Sequence, residues 1–138
     1  MIRLIKYFCL VTALMCSQVA FSAGEHKHES KSFTTVAAGL VALDSAITDA
    51  KSKSAAGDFE ALHDISEDLH GIADGLKKRL PDVAAENRDR FKFNVDQVNA
   101  LHEQLEAAHE SKKADDVARV IKRLEDVSGR LKALAVAK

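Results

Sequence analysis

Phe59-Glu60-Ala61-Leu62-His63-Asp64-Ile65-Ser66-Glu67-Asp68-Leu69-His70-Gly71-Ile72-Ala73-Asp74-Gly75-Leu76-Lys77-Lys78-Arg79-Leu80 is the stretch that decides the fold. Phe59, Leu62, Leu69, Ala73, Leu76 and Leu80 recur at multiples of three and four residues, and Ile65 and Ile72 widen the stripe. That period puts the apolar side chains on one side of an α-helix and leaves the acids and lysines on the other. A strand would need strict alternation, which the stretch lacks.

The same period extends in both directions. Phe33, Val36, Leu40, Leu43, Ile47 and Ala50 form a stripe before it. Ser52 to Gly57 ends that helix, and Asp58 suits the N-cap of the next. Pro81-Asp82 breaks the second stripe, because proline is tolerated in a first helical turn but not in an interior. Phe91, Val95, Val98, His102, Leu105 and His109 make a third stripe. After a polar turn near Ser111 to Lys113, Val117, Ile121, Leu124, Val127, Leu131 and Leu134 make a fourth. Four helices with short connections predict an all-α, antiparallel up-down-up-down four-helix bundle over residues 32–138.

What precedes the bundle reads as a cleaved signal peptide. Arg3 and Lys6 give a basic start, Leu10 to Ala20 is mostly apolar, and Ser17 to Gly24 is rich in small residues. The apolar run is too short for a stable membrane span. We assign residues 1–23 to the leader, with the cut falling after Ser22, Ala23 or Gly24, and residues 24–31 to a flexible tail carrying His26 and His28. Periplasmic localisation follows from that leader. It also holds both Cys, both Met and the single Tyr, and the chain has no Trp. Disulfides, thiolate metal sites and methionine ligation are therefore excluded for the mature protein. The leader carries two of the 20 basic residues and none of the 21 acidic ones, so its loss takes the net charge from −1 to −3. Acids and bases interleave as on a solvated helix surface, with no basic tract for nucleic acid.

Chemistry must then come from imidazole and carboxylate. Ala61-Leu62-His63-Asp64 and Ala100-Leu101-His102-Glu103 repeat, each followed by a Glu (Glu67, Glu106) and by a second His (His70, His109). Seven residues are about two helical turns, so each pair of histidines lies on one side of its helix. A buried imidazole needs a hydrogen-bond partner or a ligand. The plain outcome is a boundary histidine bonded to a nearby acid. The alternative is a site for cupric copper, nickel or zinc at His63, His102, His70 and His109. A start at Gly24-Glu25-His26 would add an amine, two amides and an imidazole, a square-planar set for copper or nickel.

Pairing across the second and third helices depends on where the chain turns. A tight turn near Asp82 sets His63 beside His102; a longer connection centred near residue 86 sets His63 beside His109 and His70 beside His102. Pro81 favours the tight turn. Glu67-Asp68-Leu69-His70 and Glu106-Ala107-Ala108-His109 also fit the Glu-x-x-His pattern of di-iron bundles, but the outer helices offer only Asp44, Asp49, Glu125 and Asp126 as further acids. No nucleophile paired with a base and no phosphate loop is visible, so an enzyme is not expected.

Along the mature chain, and most clearly from Phe91 through the turn at Glu110-Ser111-Lys112-Lys113 into Leu134, the sequence resembles the soluble b-type cytochromes of the bacterial periplasm. The resemblance implies a secreted four-helix bundle. It does not imply haem, because that family ligates with an early Met and a late His. Here no Met follows residue 15 and no His follows His109. A structural or stress-linked interaction protein without a ligand is the competing expectation.

Overall fold

The computed structural model describes residues 30–136. The expected leader, His26 and His28 lie outside the described residues. Among the described residues every regular element is helical: α1 (Val36–Ala55), α2 (Ala61–Lys78), α3 (Arg88–Glu110) and α4 (Ala114–Val136), with short 3₁₀ turns at Leu80–Asp82 and Ala85–Asn87. The all-α expectation holds.

Local chemistry sets the ends. The Thr35 hydroxyl caps α1 by accepting from the Ala38 N–H at 3.1 Å. Gly57 leaves α1 with φ 72°, a left-handed conformation that glycine adopts without strain. The Asp58 carboxylate accepts from the Ala61 N–H at 3.4 Å and from Lys53 at 3.0 Å, so it serves the start of α2 as expected. Lys53 also holds the Asp58 carboxyl below its ordinary range.

Each helix packs on the next, and α1 packs on α4. Cross-helix partners run in opposite senses along the chain. Lys77 meets Asp96, and His70 meets His102. Gln104 meets Arg123, and Asn94 meets Arg130. Between α1 and α4, Asp44 takes Ser128 and Lys132, and Lys51 takes Glu125. The fully buried side chains include Leu43, Leu62, Leu69, Phe91, Leu124 and Leu131. Each such side chain stabilises the fold by about 1.5–3 kcal/mol relative to exposure.

Two expectations need correction. The third stripe does not run through its histidines: the core positions are Leu101 and Ala108, and His102 and His109 stand one position round, half-buried on the flank facing α2. The turn after α2 is also not tight. Leu80–Asp82 forms a 3₁₀ turn with Pro81 inside it, and the chain is extended at Val83 before the second 3₁₀ turn. Arg88 donates to the Val83 and Pro81 carbonyls at 2.9 Å each, and buried Asn87 donates to the Leu134 carbonyl at 3.2 Å. Pro81 thus starts a built connection rather than ending one. The register shifts to the longer alternative, and His63 faces His109 instead of His102.

The segment before α1 is laid across α2. The Lys31 N–H donates to the Gly71 carbonyl at 3.1 Å, and Lys31 Nζ meets Asp68 at 2.8 Å. The Ser30 hydroxyl lies 2.6 Å from Lys78 Nζ. A methyl group on Gly75 would stand 2.5 Å from the Lys31 carbonyl oxygen and 2.6 Å from the Phe33 ring. Gly75 is what lets this strap lie so close. Ser30 and Lys31, expected in the flexible tail, belong to the packed body.

Candidate metal centre

His63 and Ser66 lie three apart on α2, and Glu106 and His109 lie three apart on α3, so each pair shares one side of its helix. The register of α2 on α3 brings the two pairs together. His63 Nδ1 is 2.7 Å from Glu106 Oε1, and His109 Nε2 is 3.0 Å from the same oxygen. Buried Ser66 hydrogen-bonds Glu106 Oε2 through its hydroxyl, which also lies 2.8 Å from the His63 carbonyl oxygen. The two imidazole rings are 5.7 Å apart at their centres.

These contacts set the charges. Burial works to raise the Glu106 pKa, but hydrogen bonds from Ser66, His109 and His63 outweigh it, and the carboxyl is held down to about 2. The hydrogen bond to Glu106 pushes the His63 pKa up; burial opposes it, and the charges of Glu106, Glu67 and Asp64 add to the rise. The cluster is therefore a carboxylate bridging two imidazoles.

Donor atoms of His63, Glu106 and His109 all lie within 4.8 Å of one another. Two imidazoles and a carboxylate, without sulfur, suit zinc, cupric copper or nickel, and three protein ligands leave room for a further one. Ser66 fixes the second carboxylate oxygen, as an outer partner of a ligating carboxylate would. The centre borders an open groove of about 500 Å³ lined by His63, Ser66, Glu67, His102, Glu103, Glu106 and Glu110. Four carboxylates on that groove make it favourable to cations.

Of the residues the sequence nominated, His63 and His109 come together here. His70 and His102 form a separate pair with ring centres 4.8 Å apart. His63 and His102 both line the groove but face different imidazoles. His26 lies outside the described residues. The sequence placed Glu106 in the histidine repeat and in a Glu-x-x-His motif but did not pair it with His63, and it missed Ser66, whose signal was its position one turn after His63. Asp44 and Glu125, the outer-helix acids nearest a di-iron pattern, are engaged with Lys132 and Lys51 between α1 and α4.

No helix among the described residues is long and apolar enough to cross a membrane. Compared with protein-family models, curated proteins and solved structures, the chain matches none.

Proposed function

We propose that this chain is a secreted periplasmic protein, not an enzyme, that buffers or carries a divalent transition metal. The helices form an antiparallel up-down-up-down bundle of the kind found in b-type cytochrome-like proteins, with copper, nickel or zinc in place of haem chemistry. His63, Glu106 and His109 are the ligands, Ser66 orients Glu106, and the acidic groove is the entry. His26 adds a separate amino-terminal copper or nickel site if the leader is cut after Ala23. One observation supports the reading above all: three donor atoms from two helices converge within 4.8 Å.

A second reading has its own support. Glu106 already takes hydrogen bonds from His63 and Ser66 and has His109 Nε2 at 3.0 Å, so the cluster also suits a structural latch in a ligand-free interaction protein. Thermal unfolding separates the two. Under the metal reading, zinc, copper or nickel at a hundredfold excess over its Kd stabilises the native state by about 2.7 kcal/mol. That raises Tm by about 10 °C, and His63→Ala or His109→Ala abolishes the rise. Under the latch reading no metal shifts Tm, while both substitutions lower it in metal-free buffer. Protein recovered from the periplasm, with its bound metals measured and its N-terminus sequenced, tests the export and the cut together.

A further inference from the structure

We propose that His70, His102 and Glu67 form a second metal centre on the same α2–α3 seam. The inference extends the metal reading to a second site, and its test separates the two. Both helices carry His, then Glu four residues on, then His three residues after that: His63, Glu67 and His70 on α2, and His102, Glu106 and His109 on α3. In the observed antiparallel register, a local twofold operation exchanges the two runs. It carries His63 onto His102, Glu106 onto Glu67 and His109 onto His70. The first centre, His63–Glu106–His109, thus has His102–Glu67–His70 as its image.

The ring geometry agrees with that operation. His70 and His102 face each other across the seam with ring centres 4.8 Å apart and planes at 61°. With metal–nitrogen bonds of about 2.0–2.1 Å and a ring centre about 1.2 Å behind its nitrogen, two cis imidazoles on one ion have centres about 4.5–5.2 Å apart. Glu67 lines the groove with His102, and its charge is felt at His63, so its carboxylate lies along the seam. Asp74 stands 3.6 Å from His70 Nε2, a carboxylate neighbour just beyond hydrogen-bond reach. In this arrangement Nδ1 of His70 is the ligating nitrogen.

The two centres are seven residues apart along each helix, about 10 Å at 1.5 Å per residue. Two dications there repel each other, because the seam is partly buried and screened less than open solvent, so the second ion should bind more weakly than the first. The chain then carries two ions, both reached from one acidic groove.

The test is the zinc stoichiometry of the mature chain by equilibrium dialysis, in a His26→Ala/His28→Ala background that leaves only the helical histidines. Two equivalents are expected. His102→Ala or His70→Gln should each leave one, with far-UV circular dichroism verifying the fold, and Glu67→Gln should weaken the second site about tenfold or more. His109→Ala should also leave one, and His102→Ala/His109→Ala none. With cupric copper, the two-ion form should give full spin intensity with dipolar broadening in its EPR spectrum. One equivalent in the parent that survives His102→Ala, two equivalents surviving His102→Ala, or a spin-coupled pair with lost signal overturns the second centre. Loss of an equivalent in His102→Ala but not in His109→Ala would overturn the first centre and keep the second. No binding in the parent removes both.

Discussion

Glu106→Gln keeps the shape of the bridging side chain and removes its charge, which makes it the sharpest probe of the His63–Glu106–His109 cluster. The Glu106 carboxyl falls from an ordinary 4.5 to about 2. At about 1.36 kcal/mol per unit, a depression of that size corresponds to about 3.4 kcal/mol. The side chain is 31% exposed, and solvent screening brings the expected contribution down to about 1–2 kcal/mol. His63 is raised by the same contact, so its shift is not counted again. The depressed carboxyl gives stability that is fully present above pH 4.5 and lost as pH falls through about 2. The raised imidazole gives stability that is fully present below pH 6.5 and lost as pH rises through its higher folded value. The cluster therefore contributes most between about pH 4.5 and 6.5. Urea unfolding of metal-free protein, followed by circular dichroism from pH 4 to 9, should show the wild type losing stability above pH 6.5. Glu106→Gln should start about 1–2 kcal/mol lower at pH 6 and converge toward the wild type at pH 9. Two parallel pH profiles would refute the bridge as the source of the effect.

Two further predictions concern the body that holds the site. Gly75→Ala and Gly129→Ala both gain about 1 kcal/mol of helix propensity, but a methyl at Gly129 meets nothing within 4 Å while one at Gly75 strikes Lys31 and Phe33. Denaturant midpoints should therefore move oppositely: Gly129→Ala stabilising by about 0.5–1 kcal/mol, Gly75→Ala destabilising by about 1–2 as the strap lifts and loses its hydrogen bond. Equal signs would mean that the strap does not lie on α2. Leu69→Ala empties a side chain with 0% exposure and should cost about 2–5 kcal/mol by equilibrium unfolding; a loss under about 0.5 would contradict its burial.

The helical stripes were legible because period 3.6 is a local property. All six residues assigned to the fourth stripe are buried, and the joints near Gly57, Pro81 and Lys112 fall between helices. The third stripe misled because His102 and His109 follow Leu101 and Ala108 directly, and one residue of helix turns the face by about 100°. Leucine and alanine take the core while the imidazoles keep their polar edges at the flank. The strap was not legible, since nothing in the local pattern around Gly71 and Gly75 shows that Lys31 and Phe33 lie over them.

The site was half legible for a different reason. Four histidines on two helices could be named, but their pairing depends on the register, and register is set by the connection rather than by the helices. Arg88, Val83 and Asn87 hold that connection long, through backbone carbonyls that no sequence pattern announces. The consequence is chemical. In the tight-turn register His63 would have met His102; in the observed one it meets His109, and Glu106, three residues before His109, falls between them.

That placement also governs how a metal would compete at the first centre. Glu106 is charged across the working pH range and needs no deprotonation to ligate. His63 is the opposite case, because the contact that positions it also raises its proton affinity. A metal ligated through His63 Nδ1 must displace the proton shared with Glu106, so binding releases a proton and weakens with falling pH from a point above the ordinary 6.5. Glu106→Gln removes the strongest cause of that rise. It should shift the onset of acid weakening toward lower pH even as it lowers the affinity itself. A metal titration across pH reads both effects separately. A variant that lost affinity with no shift in the onset would show that His63 does not give up a proton when the ion enters.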